Sequence, residues 1–357
     1  MQIYPISMML MTSLFFTNSI QAQENSTTTN HANNLSKHLS TIFLPEPIKR
    51  VQPKYPINAA RSRREGWARL SFVIDKEGNV SDVLVNETSG SIDFAKEAVR
   101  AVKKWKYKPA YEKGKPIQQC VNSVQMDFKM NKNGTTGATR KFISKYKKAQ
   151  KALTAKDYDE VEIQIALMKK SKYMHLSENN YMHLLAADYA KAKGDKELRL
   201  FHLRRVRSIK GDNNEKQRLA TLYTILSLEL ELNEFRAAHG SYNRLIKLEA
   251  AKPYLAKLAE TMAKVDEFIG GDQNLVRSAD IVDHDFWSAA LVRKEFSLTD
   301  VEGSLHTLDV RCANKRHVYT IGQNSTWKLP TSWENCSIYV FGEPNTQFKL
   351  IEHPLKS

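Results

Sequence analysis

At 357 residues, with 41% hydrophobic and 26% charged side chains, the chain has the balance of a folded protein of two or three domains. That balance excludes a disordered polymer and a multi-span membrane protein. A formal net charge of +15 favours anionic partners, whether nucleic acid, lipid headgroups or acidic protein segments, and says nothing of fold.

The first residues choose among those partners. Met8–Ala22, "MMLMTSLFFTNSIQA", is a short apolar run that ends in small and polar residues, the pattern of a secretory signal peptide. Interrupted by Thr12, Ser13, Thr17 and Asn18, it falls short of the ~20 apolar residues of a comfortable membrane span. The spacing predicts a signal peptide over 1–22 with cleavage after Ala22; an uncleaved membrane anchor is the alternative. Export removes nucleic acid from the expected partners. Residues 23–45, rich in Asn, Ser and Thr and without apolar periodicity, read as a tether.

Residues 46–131 carry a mixed pattern. "YPINAARSRR" places Pro56 at a helix start. "WARLSFVID" alternates, with Ala68, Leu70, Phe72 and Ile74 on one face, and "DKEGN" supplies a turn in which Gly78 can take positive φ before the strand "VSDVLVNET". A second helix follows with Phe94 or Ala95, Ala98, Val99, Val102 and Trp105 along one stripe, ended by Pro109. After a turn at "EKGKP", "CVNSVQMDFKM" alternates again. Cys120, Val124, Met126 and Phe128 are expected inward, and Val121, Ser123, Gln125 and Asp127 outward. The predicted order is helix, strand, strand, helix, strand.

Residues 139–270 read as helical. "AKDYDE", "KGDKEL" and "ELNEFR" place Asp157, Asp195 and Asn233 each 38 residues apart, as polar turns between amphipathic helices that stack because none buries its face alone. The array resembles tetratricopeptide repeats, although the usual period is ~34. From 280 to 355, the runs "RKEFSLTDV", "LHTLDVRC", "RHVYTI", "STWKLP", "CSIYVFG" and "QFKLIE" predict a small β sandwich or barrel. Leu308, Val310 and Cys312 share one face, as do Cys336, Ile338 and Val340, so Cys312 and Cys336 are expected to bridge in an oxidising compartment. Cys120 is expected to remain unpaired. The predicted fold is therefore multidomain α+β: an α/β two-layer domain, an all-α repeat region and a small all-β domain.

The 46–131 block resembles the C-terminal domain of TonB, the periplasmic end of the Gram-negative outer-membrane energy transducer. The resemblance is carried by "QPKYP" (Gln52–Pro56), "EGWARLSFVIDKEGNVSDVLVNETSG", "FAKEAVRAVKKWKYKPA" and "VQMDFKM". It implies β-augmentation: an edge strand accepts an extended peptide, in that family the TonB box of an outer-membrane receptor. By resemblance the accepting strand is Gln119–Phe128, with Gln119, Val121, Asn122, Ser123, Gln125 and Asp127 lining it and Gln52, Lys54 and Tyr55 beside it. Arg61, Arg63 and Arg64 then either attract acidic receptor surfaces or form a solvated face. ExbB and ExbD, or another TonB, are further implied partners. In that family a membrane helix and a long Pro-rich spacer come before the domain, an arrangement not expected here. The expected role is a periplasmic binding component of TonB-dependent transport, such as iron-chelate uptake. Alternatives are a signal-anchored transducer and a scaffold on anionic cell-wall material.

No phosphate-binding loop, nucleophile elbow or HExxH is present, and His175, His183 and "DHD" at 283–285 lack metal-site spacing. Neither catalysis nor a cofactor or metal is expected. Trp105 and Tyr107 read as core, and Cys120 as a buried, inert thiol.

Overall fold

The computed structural model describes residues 42–89, 92–130, 137–171, 174–206, 215–282, 285–322 and 325–354. The apolar 8–22 segment, the cleavage position and most of the tether lie outside the described residues. Among the described residues no helix is long and apolar enough to cross a membrane.

Two short strands, β1 (Ile42–Phe43) and β2 (Glu46–Lys49), lead to α1 (Ile57–Arg61), which Pro56 opens. A hairpin follows, β3 (Gly66–Ile74) and β4 (Val80–Ser89). Gly78 takes φ 80°, and a Cβ there would lie 1.8 Å from the Tyr107 carbonyl, so the turn requires glycine on both counts. Helix α2 (Ile92–Val102) buries Phe94, Ala95, Ala98, Ala101 and Val102. It stops before Pro109: the Tyr107 amide bonds instead to the Gly78 carbonyl, and Lys106–Lys108 is already a strand, β5. The "EKGKP" turn joins β6 (Ala110–Glu112) to β7 (Lys115–Ile117), and β8 (Gln119–Phe128) closes the unit.

The main sheet is antiparallel, in the order β4-β3-β8. One face carries Ala68, Leu70, Phe72 and Ile74 against α2, as the alternation predicts. Aromatic rings fill the gap: Phe94 stacks on Phe128 at 4.6 Å, and Phe72 meets Trp105 edge-on at 5.9 Å. The opposite face is covered too. Trp67 and Val73 are fully buried there, so β3 is inaccessible on both sides.

Among the described residues seven α-helices follow: α3 (Arg140–Thr154), α4 (Tyr158–Lys169), α5 (Leu176–Lys193), α6 (Lys196–Leu203), α7 (Glu215–Glu231), α8 (Phe235–Leu245) and α9 (Leu255–Gly270). The residues at the 38-residue spacing fall in the turns within the successive pairs α3/α4, α5/α6 and α7/α8. Asp157 and Asp195 each accept a backbone N–H at the start of the helix they precede, from Glu160 and Leu198. Asn233 holds positive φ and donates to the Val276 carbonyl.

Among the described residues eight strands come next: β9 (Leu275–Ile281), β10 (Phe286–Ala290), β11 (Glu295–Glu302), β12 (Leu305–Arg311), β13 (Arg316–Thr320), β14 (Thr326–Lys328), β15 (Ser337–Gly342) and β16 (Thr346–His353). They form two four-stranded sheets, β10-β15-β12-β13 and β14-β11-β16-β9, around one apolar core. The register Arg311↔Ser337 sets Cys312 opposite Cys336, and the two are joined by a disulfide. Strand β9 begins five residues ahead of the 280 boundary suggested by composition.

Candidate functional site: the β8 edge and the face behind it

Strand β8 is the outermost member of its sheet, and among the described residues it pairs only with β3. Its other edge therefore offers a row of N–H and C=O groups along ten residues. Hydrophobic anchoring holds it in place. Met126 and Phe128 are buried against α2 with Val124 beside them, while Ser123 and Asp127 are exposed.

The alternation breaks at the start of the strand. Phe72 lies opposite Asn122, but Ile74 lies opposite Gln119, so β8 carries one extra residue. A one-residue slip moves side chains to the other face. Cys120, expected on the α2 side with Val124, instead lies on the opposite face with Ser71, Ser123 and Arg311 around a cavity of about 180 Å³. It is a buried free thiol, and burial pushes its pKa up to about 12, so it stays protonated. Gln119 is buried in turn, and the Asn122 amide donates to the Gln119 carbonyl at 2.8 Å. Gln125 accepts from Arg69 and donates to Asp127.

Beside the far end of β8 lies the segment 51–56. The Tyr55 ring packs edge-on against Phe94 and Phe128, each at 5.9 Å, and its hydroxyl donates to the Arg64 carbonyl at 2.6 Å. Its pKa is pushed up to about 12, by burial first and then by Glu65. Trp105 donates to the Val51 carbonyl at 2.8 Å. Gln52 and Lys54 are exposed between these two anchors. Arg61 and Arg63 are exposed, whereas Arg64 is half-buried and reaches the Lys169 carbonyl.

Sequence reasoning missed the residues that cover the sheet's second face. Asp82 pairs with Arg316 at 2.7 Å, its carbonyl accepts from Arg311, and Arg311 is itself buried against Asp309 at 2.8 Å. Glu87 holds Arg69 at 2.9 Å and lies 3.8 Å from Arg205. The one available signal is that Asp309 and Arg311 alternate with Leu308 and Val310 on β12, a charged face backing an apolar one. A second tie runs through buried Glu65, whose carboxylate accepts the Met130 and Leu176 amides at 3.0 Å each.

The fold thus defines an α/β module: a three-stranded antiparallel sheet backed by a helix, with β8 at its edge. Residues 51–130 match the sequence profile of the family described as Gram-negative bacterial TonB protein C-terminal. The chain is similar to Protein TonB of Escherichia coli K12, 34% identical over 92 residues that cover 26% of this chain and 35% of that protein. It is similar to Protein tonB2 of Pseudomonas aeruginosa, 35% identical over 79 residues, 22% of this chain and 29% of that one. Among solved structures, a Pseudomonas aeruginosa TonB CTD is 29% identical, with 27% of this chain and 93% of that one covered and a TM-score of 0.22. The tonB2 protein of Vibrio anguillarum is 32% identical, with 32% and 100% covered and a TM-score of 0.21. The segment is thus a TonB C-terminal domain in sequence. The chain spans about a third of the length of the curated relatives it matches.

Proposed function

We propose that this chain is a TonB-family protein of the Gram-negative periplasm that captures an extended segment of an outer-membrane receptor along β8, as part of TonB-dependent transport. The observation that carries this reading is a ten-residue edge strand, paired on one side only, inside the segment that matches the TonB C-terminal family. Main-chain hydrogen bonds would supply affinity, and the exposed side chains of Ser123 and Asp127 would face the incoming strand's neighbours. The transported substrate class in this reading is an iron chelate or a similarly large nutrient. The helix pairs, tetratricopeptide-like in the spacing of their turns, would serve as a docking surface for a second envelope protein.

Proline substitution tests the capture. Pro removes one N–H, and only one parity of residues points its N–H at the open edge. Asn122→Pro and Ser123→Pro are compared in titrations with TonB-box peptides from receptors of the same organism, with circular dichroism to check the fold. One of the pair is expected to weaken binding at least about tenfold more than the other, while Gln125→Ala changes it less than about twofold. Absence of binding by the unaltered protein at millimolar peptide would remove the mechanism.

A further inference from the structure

A second surface lies on α3 and α4. Helix α3 carries six basic residues and no acidic one: "RKFISKYKKAQKALT". Arg140, Lys141, Lys147 and Lys151 are exposed, and among the described residues none of them forms an ion pair. The two helices run antiparallel, because Lys148 reaches Glu160 at 2.8 Å while Lys145 donates to the Leu167 carbonyl at 2.8 Å. On a helix surface that also exposes Asp159 and Glu162, this register sets Ile163 and Leu167 level with the middle of α3. They stand one turn apart, 52% and 43% exposed. At the same end of α4, Arg64 bonds the Lys169 carbonyl, so the α1 turn with its exposed Arg61 and Arg63 adjoins the basic surface.

We infer that this α3–α4 face docks on a phospholipid bilayer bearing anionic headgroups. Uncompensated lysines on one helix face match a negative surface potential, and each basic side chain held near such a surface adds to binding. Lysines alone would suit any polyanion. The aliphatic pair beside them narrows the choice, because Ile163 and Leu167 gain free energy only by leaving water, and the headgroup boundary accepts both groups at once. A sugar or phosphate polymer gives the two aliphatic side chains nothing. This inference stands apart from peptide capture at β8, which lies on a different module.

The test is co-sedimentation of the full chain with vesicles of phosphatidylcholine alone and with vesicles that contain about one quarter phosphatidylglycerol, at about 0.1 M salt. Binding through the apolar 8–22 segment would occur on both, so the ratio of the two affinities isolates the patch. That ratio is expected to exceed about a hundredfold and to fall by about fivefold for each lysine removed in the series Lys141→Gln, Lys147→Gln and Lys151→Gln. Ile163→Asn with Leu167→Asn is expected to weaken anionic binding about tenfold while leaving its salt dependence intact. All five positions are exposed, and circular dichroism confirms that the variants fold. Equal affinity for the two vesicles, or a ratio that survives the three lysine changes, overturns the inference. Full binding by the aliphatic double variant also overturns it, in favour of a soluble polyanion.

Discussion

The two faces of the β4-β3-β8 sheet are built from opposite materials. Towards α2 the sheet presents Leu70, Phe72, Met126 and Phe128 to a ring cluster of Tyr55, Phe94, Trp105 and Tyr107, with the Arg50 guanidinium lying over the last two rings at its rim. On the other face the contacts are Arg316 to Asp82, Arg311 to the Asp82 carbonyl and Arg205 to Glu87, around a polar cavity. The first face is dry and gains from burial in proportion to area. The second joins separate modules through ion pairs, which water and salt weaken. The domain's integrity therefore resides on the aromatic face, and its connection to the rest of the chain on the polar one.

Removing an aromatic anchor breaks the dry face. Phe94→Ala is expected to cost about 4 kcal/mol in urea denaturation followed by tryptophan fluorescence, because the ring is fully buried and stacked on Phe128. A loss under about 1 kcal/mol would show that α2 does not hold the sheet. Glu65→Ala strikes the junction with α5 instead. It leaves the Met130 and Leu176 amides without their acceptor, and the expected cost is about 3 kcal/mol. Limited proteolysis should then cut the variant sooner than the parent.

The helical region adds a pH dependence of its own. His183 and His202 sit 2.9 Å apart between ring nitrogens, both buried. Burial, followed by Lys169 and Arg205, lowers the His202 pKa to about 3. Burial and then the neighbouring His202 hold His183 well below its ordinary value. The folded state thus keeps both rings neutral, while the unfolded chain takes up protons near pH 6.5. Their contribution is fully retained above that value and falls as pH drops from about 6.5 towards 3. His202 alone should remove about 2 kcal/mol of stability between pH 7 and pH 5. His202→Gln should flatten that slope in paired denaturation curves, and an unchanged slope would rule the pair out as its source.

The smallest effect belongs to the polar face. Asp82→Asn loses a partly exposed pair with Arg316, worth about 1 kcal/mol or less. Its sensitive readout is Cys120, the buried free thiol beneath that contact. Maleimide labelling followed by mass should accelerate about fivefold if the sandwich lifts from the sheet, the factor that corresponds to about 1 kcal/mol. An unaltered rate would mean that the contact is held by packing and not by the ion pairs.

Local periodicity was enough to read the alternation of Ala68, Leu70, Phe72 and Ile74, the α2 stripe, the need for glycine at Gly78 and the facing of Cys312 towards Cys336. Each depends on neighbours a few residues away or on a strict two-residue period. The turns at Asp157 and Asp195 were legible for the same reason, since a side chain that caps the next helix acts within three residues.

What the tertiary structure decided is of another kind. Nothing local to "CVNSVQMDF" announces the extra residue that turns Cys120 away from α2, because a bulge exists only relative to the partner strand. The placement of Tyr107 after α2 depends on Gly78, whose carbonyl accepts the Tyr107 amide from the turn of the hairpin. Burial of Trp67 and Val73 requires a second layer over β3, and the ties that surround it join Asp82 to Arg311 and Arg316 and Glu87 to Arg205. Sequence by itself determined which residues want to be inside and which segment matches the TonB C-terminal family. Only the folded chain decided which charged groups meet, since Coulomb attraction acts through space and leaves no period along the sequence.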